Sequence, residues 1–140
     1  MKLALIGYGY WGKKCFETVS KIQGVSISYL VSSQELTGKQ FKSIQVFRDW
    51  NDILSLSDLA GVIIAAPSDI HYPIAKECIT RNIPVFIEKP MSMTSKESKE
   101  LVELTKKYQS KVVVDHILLF SPAFNAFKQY LQLKPMIKPH

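Results

Sequence analysis

A glycine-rich turn near the amino terminus has the composition of a phosphate cradle. Six consecutive residues match the spacing G-x-G-x-x-G: Gly7, Tyr8, Gly9, Tyr10, Trp11 and Gly12. They follow an apolar run that predicts a strand, and they open a segment with helical periodicity. In that context the three glycines permit a tight turn, a close approach of the backbone to a diphosphate, and close packing of helix on sheet.

The start of the predicted helix adds electrostatics to that geometry. Its free N–H groups and its partial positive charge attract phosphate oxygens. The turn therefore predicts a dinucleotide site in which all six residues contact the cofactor. The alternative is a tight strand-to-helix turn that holds no ligand.

The end of the second predicted strand bears on which dinucleotide binds. Sheets that prefer NAD place an acid about 20 residues past the glycine turn, where it holds the ribose 2′-hydroxyl. Ser32 and Ser33 occupy those positions, and the first acid is Glu35. A serine does not repel a 2′-phosphate as a carboxylate does, and Lys39 or Lys42 could reach one. The pattern favours NADP slightly over NAD, which serine also accommodates; an ordinary polar loop remains an alternative.

Alternating strands and helices run through the chain and predict its fold. Six short apolar runs predict strands at residues 3–6, 25–31, 44–47, 61–66, 83–87 and 112–114. The first helical segment is predicted to include Ile22 and to end at Gly24, and Thr94 with Glu97 predicts a capping box. This order predicts an α/β fold, a doubly wound parallel sheet of Rossmann type in three αβα layers. We expect one domain over residues 1–133 and a tail at 134–140.

The composition excludes several classes of partner. The 140 residues carry a net charge of +6 from dispersed lysines without an arginine stripe, so nucleic acid is not expected as a partner. No apolar run approaches the ~20 residues that span a bilayer, so no membrane partner is expected. Cys15 and Cys78 lie far apart without metal-ligand spacing. We therefore expect free thiols, no metal and a cytoplasmic location.

Further polar motifs lie at the ends of predicted strands four to six, where doubly wound sheets bind ligands. They are Ala66-Pro67-Ser68 with His71, Glu88-Lys89-Pro90, and Asp115-His116 before Phe120-Ser121-Pro122. Together with the glycine turn, their order and spacing from residue 1 to about residue 130 resemble the glucose–fructose oxidoreductase and inositol dehydrogenase family (Gfo/Idh/MocA). The Glu-Lys-Pro triplet is the most specific part of this resemblance.

The resemblance implies a nicotinamide cofactor, NAD or NADP. It implies hydride transfer to or from a hydroxyl of a sugar or of a nucleotide-activated sugar. Lys89 would lie beside the nicotinamide, where it stabilises a developing alkoxide or shuttles its proton, and Glu88 would orient or balance it. Other residues would border the cofactor: Ala66, Pro67, Ser68, His71, Glu88 and His116.

Simpler roles remain open for some of these residues. Ser68 could be only a helix N-cap. His71 could start a helix with an ordinary structural hydrogen bond, and His116 could be a satisfied core residue. Lys89 could be a surface lysine where a strand leaves the sheet.

The family pattern continues into a second domain that binds the sugar. This sequence extends about one helix past the sixth predicted strand, so we expect that domain, and half of the active site, to be absent. We then expect the chain to bind coenzyme but to turn sugars over poorly. The apolar residues 117–120 and the helix after them predict exposed surface, and hence self-association or docking onto a partner chain.

Two other functions compete with that of a sugar dehydrogenase domain. One is a non-catalytic nucleotide-binding module, or a subunit whose partner supplies the substrate half. The other is a Rossmann domain of another dehydrogenase class, against which Glu88-Lys89-Pro90 argues.

Overall fold

One six-stranded parallel sheet organises the molecule. The computed structural model describes residues 1–133, so the predicted tail at 134–140 lies outside the described residues. The strands are β1 (Lys2–Ile6), β2 (Ser26–Val31), β3 (Gln45–Phe47), β4 (Leu59–Ile64), β5 (Val85–Ile87) and β6 (Val112–Val114). Their order across the sheet is β3-β2-β1-β4-β5-β6, and every neighbouring pair is parallel. The predicted doubly wound Rossmann-type fold is confirmed.

Four α-helices connect and flank these strands. They are α1 (Tyr10–Val19), α2 (His71–Thr80), α3 (Ser95–Tyr108) and α4 (Pro122–Leu133). Short 3₁₀ segments occupy Lys39–Phe41, Trp50–Ser55, Ser68–Ile70 and Ile117–Phe120. The chain passes from β1 outward to β3 and then returns to β4 on the other side of β1. That reversal opens a crevice at the carboxyl edge of the sheet, where such folds bind ligands.

Both faces of the central strands are buried, because the strands are apolar at nearly every position. On one face, Leu5 and Leu30 pack with Val19 of α1. On the opposite face, Ile64 packs with Ile74 of α2. Burying a large aliphatic side chain stabilises a fold by about 1.5–3 kcal/mol. The two clusters therefore hold the carboxyl ends of β1 and β4 firmly beside each other.

The first helix is shorter than the sequence predicted. It ends at Val19, and the backbone N–H groups of Lys21 and Ile22 donate to carbonyls only three residues back. These tight turns lead to Gly24, whose φ of 79° reverses the chain into β2. The prediction that the helix includes Ile22 is therefore wrong, and that side chain is exposed.

The predicted capping box at the start of α3 is confirmed. The Oγ of Thr94 accepts a hydrogen bond from the backbone N–H of Glu97, and the backbone N–H of Thr94 donates to the Glu97 carboxylate. Two otherwise unsatisfied donors are paired in this way. The helix therefore begins directly after the loop that follows β5.

The last helix leaves much of its apolar face exposed. Phe124, Phe127 and Tyr130 are all in contact with solvent, as is Phe120 in the turn before α4. Among residues 1–133, none of the helices combines the length and hydrophobicity needed to cross a bilayer. The exposed aromatic face is thus a surface feature of this helix.

Candidate functional site

A cleft of about 550 Å³ lies at the carboxyl edge of the sheet, where the order of the strands reverses. Loops that follow β1, β2, β3 and β4 all contribute to its walls. Of the residues that the sequence predicts as cofactor contacts, these line it: Gly7, Tyr8, Gly9, Tyr10, Trp11, Ser32, Ser33, Ala66 and Pro67. The topology therefore brings nine predicted contacts from three separate segments to one surface.

The three glycines of the turn do different physical work. Gly7 has a φ of 94°, and a Cβ there would lie 2.5 Å from the carbonyl oxygen of Ala65. A Cβ on Gly12 would collide with the carbonyl oxygen of Gly7. Both glycines are required by the fold itself, because β1, α1 and the end of β4 meet there.

Gly9 is different, since nothing in the protein requires a glycine at that position. Its backbone is extended, with φ −77° and ψ −159°, and a Cβ on it would meet no atom within 4 Å. Gly9 is also one of the residues that line the cleft. A cradle that a Cβ would fill fits a diphosphate pressed against the main chain.

The amino terminus of α1 completes that cradle. Gly9 is its N-cap, so no side chain accepts a hydrogen bond from the first turn, and the first turn holds no acidic residue. The unsatisfied N–H groups and the positive end of the helix dipole are therefore available to an anion. This is the pairing of geometry and charge that phosphate groups need.

Aromatic side chains flank the turn in two directions. The Tyr8 ring packs edge-on against Phe16 and Phe41, with ring centroids 5.7 and 5.4 Å apart. Tyr10 and Trp11 point outward and contact each other at 5.2 Å. Tyr8 therefore braces the turn from behind, while Tyr10 and Trp11 stand at the mouth of the cleft.

The two serines that follow β2 differ in their exposure to solvent. Ser32 is buried, and its Oγ accepts a hydrogen bond from the backbone N–H of Gln34, which closes a local turn. Ser33 is exposed on the wall of the cleft. Glu35, the first acid of the segment, lies in a neighbouring depression with Lys13 instead.

Sequence reasoning missed two residues that follow β3. Arg48 and Trp50 both line the cleft. Nη1 of Arg48 donates to the carbonyl oxygens of Ser32 and Gln34, at 2.9 and 3.0 Å. The usable signal was their position: they follow the strand next to β2, so they emerge at the same edge of the sheet.

His71 is buried at the start of α2 and does not line the cleft. Its Nδ1 lies 2.8 Å from the carbonyl oxygen of Pro90, and its Nε2 lies 2.8 Å from that of Ala66. The ring thus bridges the loop after β4 and the loop after β5. A residue that links two loops in this way fixes the position of Lys89 relative to the wall of the cleft.

Glu88 and Lys89 follow β5 directly and differ in burial. Lys89 is exposed. Glu88 is buried, and the backbone N–H of Lys89 donates to its Oε2 at 3.2 Å. Its carboxyl group borders a second, mostly apolar groove of about 500 Å³ between α1 and strands β1, β4 and β5. Glu88 is therefore directed away from the cleft that holds the glycine turn.

Two carboxyl groups and a thiol share that groove. Asp115 follows β6, and its backbone N–H donates to the carbonyl of Ile87, so it stands beside Glu88. Oε1 of Glu88 has no hydrogen-bond partner among the described residues. Burial, reinforced by Asp115, raises the pKa of Glu88 above its usual 4.5. The pKa of the Cys15 thiol is raised to about 11, mainly because the thiol is partly buried and to a smaller extent because the two carboxyl groups are negatively charged.

The remaining predicted contacts lie outside the lining of the cleft. Gly12 is buried beneath the turn, and Ser68 opens the 3₁₀ segment before α2 without capping it. His116 is exposed at the exit of β6. Among residues 1–133, no group of three or more His, Cys, Asp and Glu side chains is arranged to hold a metal.

Comparison with known proteins decides the family. Residues 1–116 match the model of the Gfo/Idh/MocA oxidoreductase family with an NAD-binding Rossmann fold. The chain belongs to this family. The predicted resemblance is confirmed, and with it the prediction of a nicotinamide cofactor.

Individual proteins are similar to this chain in sequence or in fold. Inositol 2-dehydrogenase of Salmonella paratyphi B is 25% identical over 143 residues, which cover 98% of this chain and 41% of that protein. A putative oxidoreductase from Magnetospirillum magnetotacticum is 30% identical, with a TM-score of 0.79 over 94% of this chain and 43% of its own. Biliverdin reductase from Synechocystis, whose structure holds biliverdin and NADP⁺, is 20% identical, with a TM-score of 0.83 over 94% and 42%. The chain thus spans about two fifths of these relatives.

Proposed function

We propose that this chain is the coenzyme-binding part of a dehydrogenase that oxidises or reduces a hydroxyl of a sugar, a cyclitol or a nucleotide-activated sugar. The observation that carries the proposal is Gly9, a glycine in the cleft whose position leaves room for a side chain among the described residues, as a bound diphosphate would explain. The family to which the chain belongs and the curated inositol 2-dehydrogenase that it resembles support the substrate class. The coenzyme supplies the hydride acceptor or donor.

The protein residues would hold the coenzyme in three zones of the cleft. The backbone of Gly9 and the first N–H groups of α1 would bind the diphosphate. Ser33, beyond β2, would face the ribose of the adenosine half. Ala66 and Pro67, beyond β4, would border the other half, because they leave the sheet on the opposite side of β1.

Lys89 is the proposed acid–base residue. It is exposed at the exit of β5, two strands away from β1, so its ammonium group is free to meet a substrate. A lysine there would stabilise the charge that develops on an alkoxide or carry its proton. Hydrogen-bond contacts of His71 with the carbonyls of Ala66 and Pro90 would hold Lys89 at a fixed position relative to the cleft.

NADP is the coenzyme we favour over NAD. Among the residues that line the cleft, none is a carboxylate, and Arg48 is the one cation. A ribose 2′-phosphate would meet no repulsion there.

We also keep the cytoplasm as the expected location, since the free thiols of Cys15 and Cys78 suit a reducing compartment.

Calorimetric titration of the full chain with NADPH and NADH tests the proposal. We expect 1:1 binding by the native chain. Gly9→Val should raise Kd by more than about 100-fold, a change of about 2.7 kcal/mol. Valine suits the extended backbone, and as a weaker N-cap than glycine it should lower the stability by only about 1 kcal/mol, so the variant stays folded. Lys89→Ala should keep the affinity within about twofold, because phosphate contacts provide most of the binding.

Two outcomes would contradict the proposal. The first is a native chain that binds neither coenzyme. The second is a folded Gly9→Val variant that binds as tightly as the native chain, since the diphosphate would then lie elsewhere.

A further inference from the structure

We propose that Arg48 is the residue that recognises the 2′-phosphate of NADP, with the Ser33 hydroxyl as its companion. This inference rests on the proposed function, because it assigns a specificity determinant within the same cleft. Sequence reasoning placed that task on Lys39 or Lys42. Neither lysine is among the residues that line the cleft.

The location of Arg48 follows from the order of the strands. The glycine turn at the end of β1 fixes the diphosphate, and the adenosine half of a dinucleotide then extends over the end of β2. β3 is paired with β2 on its outer side, and Val31 lies opposite Phe47 in that pairing. Arg48 therefore leaves the sheet immediately beside Ser32, at the position where the adenosine ribose is expected.

The hydrogen bonds of Arg48 hold its guanidinium group against this position. Nη1 donates to the carbonyl oxygens of Ser32 and Gln34, which bracket Ser33 in the chain. Both of these bonds use one nitrogen, and the other N–H groups of the guanidinium donate to no acceptor within residues 1–133, so they can bind an anion. A guanidinium group anchored at one nitrogen is oriented in advance, and its planar fork matches two oxygens of a phosphate.

The charges around this position favour a phosphate over a plain hydroxyl. The acid that would hold a 2′-hydroxyl is missing from the cleft, because Glu35 lies in the neighbouring depression. Ser32 is buried, with its hydroxyl engaged by the N–H of Gln34, so it serves the turn. Ser33 is exposed beside Arg48 and supplies the free hydroxyl.

The test compares affinities for coenzymes that differ only in the 2′-phosphate. Kd values for NADPH, NADH, 2′-AMP and 5′-AMP are measured on the native chain and on Arg48→Gln, which removes the positive charge and the planar fork of the guanidinium group. We expect the native chain to prefer NADPH over NADH and 2′-AMP over 5′-AMP. Arg48→Gln should lose about tenfold or more for NADPH and 2′-AMP, while NADH changes less than about twofold.

Matched controls separate this role from general loss of positive charge. Arg81→Ala removes the other arginine, which pairs with Glu77 on α2 away from the cleft. Lys39→Ala removes one of the two lysines that, from the sequence, could reach a 2′-phosphate. Both variants should keep the native ratio of the NADPH and NADH affinities.

The result that would overturn the inference differs from failure of the proposed function. An equal loss of NADPH and NADH affinity in Arg48→Gln would mean that Arg48 only braces the loop. An unchanged ratio of affinities, or a loss that appears in Lys39→Ala instead, would remove Arg48 from the 2′-phosphate site. If neither coenzyme binds the native chain, the proposed function itself fails.

Discussion

The cleft and the groove are two hollows that both contact α1, and they differ in their polar groups: the cleft lies at the amino end of the helix, and the groove runs along its side. The cleft at the glycine turn combines exposed main chain, serine hydroxyls and the Arg48 guanidinium group with aromatic rings, and no carboxylate lines it. The groove between α1 and strands β1, β4 and β5 is mostly aliphatic, and two carboxyl groups, those of Glu88 and Asp115, border it. Trp11 is the residue that borders both.

The contrast shows which part of the site is complete within the described chain. In the cleft, each feature that a dinucleotide needs is supplied locally: an open main chain at Gly9, uncapped helix N–H groups and an oriented guanidinium group. In the groove, apolar walls face solvent and Oε1 of Glu88 lacks a partner within residues 1–133. The features that bind a dinucleotide therefore lie together in the cleft, whereas the groove leaves an apolar wall exposed to solvent among residues 1–133.

The largest effect is expected where the cleft depends on close backbone contact. Gly7→Ala should destabilise the fold by about 2–6 kcal/mol, because strain at positive φ and overpacking against Ala65 each cost about 1–3 kcal/mol. Urea unfolding would measure the loss as a lower midpoint at an unchanged slope. Gly9→Ala is the matched control, and it should stay within about 1 kcal/mol of the native chain. Equal stability of the two variants would contradict the division of work within the turn.

The next effect concerns Glu88 in the groove, where a substitution should stabilise the fold. Glu88→Gln should stabilise the fold at neutral pH by about 1–3 kcal/mol, because the amide keeps the shape of the side chain but removes a buried charge that lies beside Asp115. Folding raises the pKa of Glu88, so the native chain binds this proton more tightly than the unfolded chain does. The native chain therefore loses stability as the pH rises through the folded-state pKa of Glu88.

The pH dependence gives that prediction its control. Below pH 4.5, the ordinary pKa of a glutamate, Glu88 is protonated in both the folded and the unfolded chain. The difference in the free energy of unfolding between Glu88→Gln and the native chain should then vanish. The difference should grow with rising pH and then level off. Urea unfolding at several pH values would measure it. A variant that is less stable than the native chain at pH 7 would mean that the Glu88 charge has a stabilising partner.

The smallest effect concerns association through the uncovered apolar surface. Phe120→Ser together with Phe127→Ser should reduce self-association of the chain, because exposed aromatic rings favour contact with another surface. Light scattering at rising protein concentration measures the change. The folding stability should shift by less than about 0.5 kcal/mol, as for other surface substitutions. A native chain that stays monomeric at high concentration would contradict this prediction.

The sequence predicted well what depends on local pattern and poorly what depends on side-chain direction. The six strands and the Thr94 capping box follow from spacing, so they were predictable. The direction of Glu88 was not, because it depends on the alternation of β5: Phe86 and Glu88 face α1, whereas Ile87 packs on the opposite face. Arg48 was missed for a related reason, since it comes to lie beside Ser32 in the cleft only because β3 pairs with β2.

The separation of the two hollows can be tested most directly by titrating isotopically labelled chain with NADPH while its backbone amide resonances are followed. The account predicts the largest shifts at Gly9, Tyr10 and Trp11 and at Ser33, with little change at Thr18 or Ile22 in the groove. Shifts concentrated around Thr18, Ile22 and Phe86, with the resonances of the glycine turn unmoved, would contradict it.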